Sequence, residues 1–397
     1  VNPRRLAEGR LARAGLYAGG FLGPFGGAMT SSILPEIGAD FDRSAGEAAA
    51  TLSYYLLPFA GLLLVSGTLA QRWGPQRTVR GAYVVYAAAS ILCAVSWAFP
   101  VLIGLRAVQG AANAFVTPVL LGALAAIVPK ERLGRTLGLF ASMQAAGQTS
   151  APLVSGLVAE ASWRWAFVGA AAVATALAVL GVPRTEAAEK RPSLRSAFVP
   201  TTLRAALVAF VGWGCLGGLG FLVAFRLDDA FGLGASQRGV LLTGFGVAGF
   251  LAARFVGRAV DRFGARTCVL GATFAGAGLL VAIGTAPSLV AVGLCWALTG
   301  ACSQGVLVSL NTLVLSTGAN RGGAVSVVQS LRFLGGAVAP LAFVPLYQAS
   351  TVAAFVVPAA ALVLVPPAVL QREKPGQHVE AGLDVEQTGE TERNDGR

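Results

Sequence analysis

Twelve apolar stretches, each long enough to cross a lipid bilayer, follow one another along this chain with only short polar breaks between them. A helix needs about 20 apolar residues to span the hydrocarbon layer. Runs of that length fall near 14–34, 48–70, 78–98, 100–128, 133–159 and 165–182, and again near 204–225, 239–256, 267–285, 288–316, 323–348 and 350–370. A water-soluble fold is excluded by the same pattern, because 397 residues that are 55% apolar and only 12% charged cannot hide that much surface in a core. The fold class expected is all-α and integral to a membrane, with twelve transmembrane helices.

The polar residues divide the chain. Residues 1–13 form a basic lead-in and 14–182 a first group of six spans; 183–203, with Arg184, Glu186, Glu189, Lys190, Arg191 and Arg195, reads as a soluble linker. A second group of six occupies 204–370, and the acidic, Gly-rich stretch 371–397 reads as a disordered tail. A net charge of +11 raises the question of nucleic acid. Position answers it: with the first residue inside, 24 of the 30 Lys and Arg fall in cytoplasmic segments, Arg43, Arg164, Arg226 and Arg238 fall outside, and Arg106 and Arg332 fall within spans. That is the positive-inside asymmetry of a membrane protein. It predicts cytoplasmic termini, a multi-pass chain in the inner or plasma membrane, and no nucleic-acid partner. The first apolar run continues past the length of a signal peptide, so no cleavable leader is expected.

Internal repetition is visible in Gly257-Arg258-Ala259-Val260-Asp261-Arg262-Phe263-Gly264-Ala265-Arg266, which has a twin in Gly67-Thr68-Leu69-Ala70-Gln71-Arg72-Trp73-Gly74-Pro75-Gln76-Arg77. Gly67, Arg72 and Gly74 lie under Gly257, Arg262 and Gly264 at an offset of 190. Ala107 to Ala111 matches Ala297 to Ala301 at the same offset, and Gly147-x-x-x-Ala151-Pro152 matches Gly335-x-x-x-Ala339-Pro340 at 188. Two related six-helix halves place a binding site between them, near the midplane.

These motifs resemble a known family. The Gly-x-x-x-Asp-Arg-x-Gly-x-Arg pattern ending in Arg266 resembles the loop between the second and third helices of the major facilitator superfamily, which recurs in the second half of such transporters. Arg106-x-x-Gln109-Gly110 resembles the superfamily's fourth-helix motif in proton-coupled antiporters, where the arginine is associated with proton coupling. Gly147-x-x-x-Ala151-Pro152-x-x-Ser155-Gly156 resembles the fifth-helix motif of the drug-efflux branch, with Ala151 and Ser155 in place of glycines. The resemblance implies the major facilitator fold and proton-coupled efflux of small amphipathic molecules. Its partners are then protons, a small-molecule substrate and the bilayer, with no cofactor and a monomeric chain.

Chemistry inside the spans is sparse. A charge at the centre of a span costs about 2.5 to 3.5 kcal/mol on insertion scales, so Arg106 needs a partner or a watered cavity. With Gln109, Asn113 and Thr117 it makes a single polar stripe, and its repeat partner is Trp296, a swap that argues for function over scaffolding. Arg332, nine residues past Gly323, lies about 14 Å into its span, with Gln329 on the same face. The carboxylates Glu36, Asp40, Asp42, Glu47, Glu160, Asp228 and Asp229 cluster at external ends, so both arginines are expected to repel permanent cations from a cavity lined by Phe21, Trp213, Phe221 and Phe333. Asp261, paired with nearby arginines or set at a helix N-terminus, is expected to help close the cytoplasmic side, a role its counterpart Gln71 lacks. The glycines of the first span suit close packing or a flexible cavity wall.

Enzyme signatures are missing. There is no HExxH or GxSxG, and the single histidine, His378, lies in the tail. Lys130, Lys190 and Lys374 follow Pro, Glu and Glu, so no Walker A loop exists. Gly212-x-Gly214-x-x-Gly217 fits a dinucleotide fingerprint but sits in an apolar run, which favours helix packing. Cys93, Cys215, Cys268, Cys295 and Cys302 stand singly without metal-ligand spacing, so no metal is expected. Two other functions fit the same residues: a proton-coupled importer of a small organic solute, and a membrane receptor or scaffold that transports nothing.

Overall fold

The computed structural model describes residues 3–128, 130–181, 194–316 and 321–370. Twelve helical passes make up the chain. In the first half they are α1 (Pro3–Ala28), α2 (Ala50–Trp73), α3 (Pro75–Ala94), α4 (Phe99–Asn113, continued by Val116–Ile127), α5 (Lys130–Ala159) and α6 (Arg164–Leu180). The second half holds α7 (Pro200–Cys215, then Gly220–Phe231), α8 (Ala235–Phe263), α9 (Ala265–Thr285), α10 (Leu289–Ser316), α11 (Arg321–Ala349) and α12 (Thr351–Val369). Short helices Leu34–Asp40 and Ala45–Ala48 join α1 to α2. Eight passes are long and apolar enough on their own to cross a membrane. Of the other four, α6 is apolar but only 17 residues long, and α1, α3 and α5 begin with charged turns. Among the described residues the twelve passes bring the start of α1 at Pro3 and the end of α12 at Val369 to one side, here called the terminal face; the opposite side is the far face.

The charged turns expected from the sequence are shorter than the charges suggest. α2 runs through Arg72 to Trp73 and α8 through Asp261 and Arg262 to Phe263, leaving one residue, Gly74 or Gly264, to turn the chain into the next helix. Long charged side chains reach water from the last turns of a membrane helix, so charge marks depth and not the helix end. The break needs glycine for another reason: Gly74 has φ +89° and Gly264 φ +81°, where a side chain is strained. Pro75 at the first position of α3 and Pro200 at that of α7 start helices where no backbone donor is lost.

Duplication extends to the main chain. A Cβ on Gly110 of α4 would fall on the carbonyl of Tyr55 in α2, and one on Gly300 of α10 on that of Phe245 in α8. Gly147 of α5 stands over the carbonyl of Phe21 in α1, and Gly335 of α11 over that of Phe210 in α7. Each half therefore contains the same two helix crossings at backbone contact, the spacing that small residues permit. The glycines of α1 are packing sites as well. Gly19 and Gly26 make room for the hydroxyls of Tyr83 and Tyr86, Gly20 for the Phe140 ring and Gly23 for the Asn113 amide. In α7, Gly214 packs on the Gly335 carbonyl and Gly217 on the Trp213 ring, so the apparent dinucleotide fingerprint is a packing surface next to the helix break.

The halves meet along two seams, α5 with α8 and α2 with α11. On the first, Gly156 packs on the Ala235 carbonyl and Gly239 on the Pro152 carbonyl. On the second, Ser330 Oγ donates to the Ala60 carbonyl at 2.6 Å and the rings of Phe59 and Phe333 meet edge to face at 4.9 Å. The α5–α8 contacts lie near the far face and the α2–α11 contacts near mid-helix. Closer to the terminal face, a Cβ on Gly138 of α5 or Gly257 of α8 would meet no atom within 4 Å. Among the described residues the backbone contacts between α5 and α8 gather toward the far face.

Candidate functional site

Arg106 lies on α4, completely buried within the first half. Its guanidinium donates to the Gly26 carbonyl from Nη1 and Nη2, both at 3.2 Å, to the Thr51 carbonyl from Nε at 3.3 Å and to Gln109 Oε1 at 2.8 Å. It stacks over the Tyr55 ring at 4.3 Å. Gln109 passes the network on, donating to Ser90 Oγ at 2.7 Å, which donates to the Tyr86 carbonyl at 2.7 Å. The desolvation cost of the charge is offset by main-chain oxygens of α1 and α2, with no carboxylate involved. Asn113 is buried beside Gly23, and α4 breaks at the next two residues, so Thr117 belongs to a separate helical segment. The polar stripe thus turns into the first half, and Arg106 adds no free charge to the space between the halves.

Arg332 is placed differently. Half-buried on α11, its guanidinium lies 3.8 Å over the Trp213 ring of α7. Its one hydrogen bond is a long 3.4 Å from Nη1 to Gln329 Oε1. Trp213 and Phe333 meet at 6.4 Å, Phe245 of α8 approaches Trp213 at 6.5 Å, and Trp296 of α10, the repeat partner of Arg106, stacks on Phe245 at 4.7 Å. This is an aromatic shelf at mid-helix, on which Arg332, Gln329, Phe333 and Trp213 converge. Phe21 is half-buried on α1, stacked on Phe25 at 5.6 Å. Phe221 was expected to line the same cavity and does not: it lies beyond the α7 break, 1% exposed and packed on Phe225, because the break turns the outer segment of α7 into the core of the second half.

A third constellation was not singled out from the sequence. Arg238, near the far-face end of α8, is 1% exposed and pairs with Glu36 of the first half and with Asp228 Oδ1 of α7 at 2.7 Å. Its Nε donates to the Ser32 carbonyl at 3.2 Å. Ser32 in turn donates to the Pro152 carbonyl at 2.9 Å and lies 3.1 Å from Ser155 Oγ, which ties the α5 motif to the bridge. Glu36 Oε2 is buried with no hydrogen-bond partner, so Arg238 is the principal polar partner of that carboxylate. Ser236 and Glu160 add a second polar link between the halves. The one sequence hint was Arg238 itself, a cation set four residues beyond Gly234 inside an apolar helix.

At the terminal face the twin motifs are largely exposed. Asp261, Arg258 and Arg262 are exposed, and Arg72 likewise. Among the described residues Asp261 is in no ion pair. It stands in the last turn of its own helix, so any helix N-terminus that favours it belongs to another element, a correction to one of the two settings expected. The Nε of Arg266 is buried without a partner. In the α5 motif, Gly147 touches α1, Ala151 is buried, and Pro152 and Gly156 touch α8.

Comparison with known proteins agrees with this architecture. The family model described as Major Facilitator Superfamily matches residues 16–234 and 205–392. An uncharacterized transporter of that type from Mycobacterium tuberculosis, EfpA, is 33% identical over 136 residues, covering 34% of this chain and 26% of the relative. The tetracenomycin C resistance and export protein of Streptomyces glaucescens is 27% identical over 219 residues, covering 51% of this chain and 41% of the relative. The matched stretches thus span less than half of these relatives. Among solved structures, the human organic anion transporter MFSD10 superposes with a TM-score of 0.70 over 91% of this chain and 99% of its own, at 17% identity.

Proposed function

The chain belongs to the Major Facilitator Superfamily, and on that premise we propose that it is a secondary active transporter, exporting small amphipathic molecules against an inward flow of protons by alternating access. The observation that carries this reading is the pairing of a far face closed by the α5–α8 seam and an ionic bridge with an aromatic shelf at mid-helix that bears a loosely bonded arginine. Export receives support from the relatives, one of which is described as a resistance and export protein. The distribution of Lys and Arg supports a cytoplasmic terminal face in the cell membrane. The chain then acts as a monomer without nucleic acid or catalytic activity of its own.

Roles follow from position. Arg106 and Gln109 serve proton coupling by holding α1, α2 and α4 in register, so that any change in the network around Ser90 is felt by α1. Phe21 with Gln329, Arg332, Phe333 and Trp213 contact substrate in the central space, while Asn113, expected there from the sequence, packs on Gly23 inside the first half. The twin motifs, Gly67, Arg72 and Gly74 with Gly257, Asp261, Arg262, Gly264 and Arg266, close the terminal face when the far face opens. Of the α5 residues, Pro152 and Gly156 form the surface on which the halves roll, with Ala151 buried in the same motif and Gly147 fixing α5 to α1.

The test is transport by purified protein in liposomes under an imposed pH gradient, using compounds selected by growth inhibition in a host lacking its own pumps. Uphill movement that stops when the gradient is dissipated is the expected result. Uptake in the opposite direction would favour the importer, and no movement of any compound would favour a receptor or scaffold.

A further inference from the structure

We infer that the substrate presents an anionic or strongly hydrogen-bond-accepting end to Arg332, so that the transported class is amphipathic organic acids and their neutral acceptor analogues, with permanent cations excluded. The inference rests on the transporter reading above and deepens it. A guanidinium carries five N–H donors in a planar fork. Arg106 and Arg332 are both intramembrane arginines, yet they use that fork in opposite ways. Arg106 directs Nε, Nη1 and Nη2 onto three acceptor groups of the protein. Arg332 makes one bond, at a length near the limit of a hydrogen bond. Its remaining nitrogens are not among the buried atoms without a partner, so they open onto solvent-accessible space.

A cation held inside a span is costly unless something answers it. Around Arg332 the Trp213 ring and a long bond to Gln329 answer it in part, and among the described residues no carboxylate pairs with it. Among the described residues the carboxylates nearest the membrane surfaces are Glu36, Asp40, Glu47, Glu160, Asp228 and Asp229 at the far face, and Asp261 at the end of α8. Asp261 lies 16 residues, about 24 Å, along α8 from Phe245 of the shelf. Trp213 covers one face of the guanidinium, which leaves the N–H edge as the reactive surface. That edge matches the two oxygens of a carboxylate, sulfonate or phenolate-type acceptor. The rings of Trp213, Phe333, Phe59 and Phe245 supply an apolar bed for the body of the same molecule.

Binding can be measured at equilibrium on purified protein in nanodiscs, with no gradient, using three probes of one scaffold: 1-naphthaleneacetate, its primary amide, and (1-naphthylmethyl)trimethylammonium. A unit charge about 6 Å from the guanidinium at an effective dielectric near 20 changes affinity by roughly a hundredfold. The carboxylate is therefore expected to bind about 100-fold more tightly than the amide, and the amide about 100-fold more tightly than the quaternary ammonium, roughly 10,000-fold between the two charged probes. Arg332→Gln should bring the three probes within about fivefold of one another, whereas Arg332→Lys keeps the order because it keeps the charge. Should the Gln variant fail to fold, the ratio in the unmodified protein still decides. Equal or tighter binding of the quaternary compound, no binding of the carboxylate, or a carboxylate preference that survives Arg332→Gln overturns the inference. Charge-selective binding without movement in liposomes would instead count against transport alone, and movement without charge selectivity against this inference alone.

Discussion

Replacing Glu36 with Gln is expected to open the far face, and the structure sets the size of the effect. Arg238 is 1% exposed and its bond to Glu36 is the ionic contact that crosses from one half to the other; its bond to Asp228 stays within the second half. Breaking a fully buried pair by deleting one partner costs about 3 to 5 kcal/mol. Here the loss is smaller, because the Glu36 side chain is 29% exposed and Arg238 keeps Asp228 and the Ser32 carbonyl. About 1 to 2 kcal/mol is the reasonable figure, which is roughly a 5- to 30-fold shift in a two-state ratio. The assay is a distance distribution between spin labels at Asp42→Cys and Gly234→Cys, both exposed at the far face, with the five native cysteines replaced. Glu36→Gln should enrich the long-distance population by that factor. Asp228→Asn should not, since it leaves Arg238 more fully committed to the crossing bond. Identical opening in both variants would mean that Arg238 only stabilises the fold, and an unchanged distribution in Glu36→Gln would refute the reasoning outright.

Three further outcomes are expected. Arg106→Ala leaves the Gly26 and Thr51 carbonyls and the Gln109 oxygen without their donor, and should abolish proton-driven transport in liposomes while protein is still recovered in the membrane; Arg106→Lys should recover only part of it, since an ammonium cannot span all three acceptors. Wild-type transport in the Ala variant would contradict the proposed coupling role. Asp261→Asn should slow transport by weakening closure of the terminal face, whereas Gln71→Asp should be tolerated, and cysteine accessibility at that end of α2 and α8 would register equal, severe defects as the opposite result. Gly110→Ala and Gly300→Ala each place a methyl on a main-chain oxygen and should lower thermal stability by about 1 to 3 kcal/mol, visible as a loss of monodisperse protein on heating; Gly138→Ala, with open space around it, should not.

Much of the architecture could be read from the sequence because the bilayer imposes it. Spans ending at Ile127, Ala159, Thr285 and Ser316 fall within a residue or so of the expected limits, since apolar length is a physical requirement of the solvent. The ends that differ are those where charge was taken to stop a helix. α1 begins at Pro3, eleven residues before the apolar run, and α7 starts at Pro200 and reaches Phe231. The repeat, first visible as matching glycines, reappears as matching backbone contacts. What the sequence could not supply was direction. Arg106 and Arg332 look alike as charges in apolar runs, and only the path of α1 and α2 gives one of them its acceptors. The Arg238 bridge was hidden for a related reason: it joins residues 202 positions apart, and a cation at a helix start near the membrane surface needs no special account until its burial is known. Phe221 was misassigned because the break after Cys215 re-aims the residues beyond it.

The α5–α8 seam has a mechanical consequence. Where Gly156 lies on the Ala235 carbonyl and Gly239 on the Pro152 carbonyl, main chain rests on main chain, and farther along the seam the short side chain of Thr149 fits the notch at Gly246. Interdigitated helices behave like meshed gears and must unpack to slip past one another; two glycine-faced helices behave as a plain bearing, held by weak Cα–H···O contacts that can be exchanged one at a time. On the roles proposed above, friction along the seam is then low, and the barrier to turnover is expected to reside in the discrete catches at either end, the Arg238 bridge on one side and the Asp261 motif on the other. Bulk added to the bearing would seize it in whichever state was formed first, while changes to the catches would retune its speed and leave its travel intact.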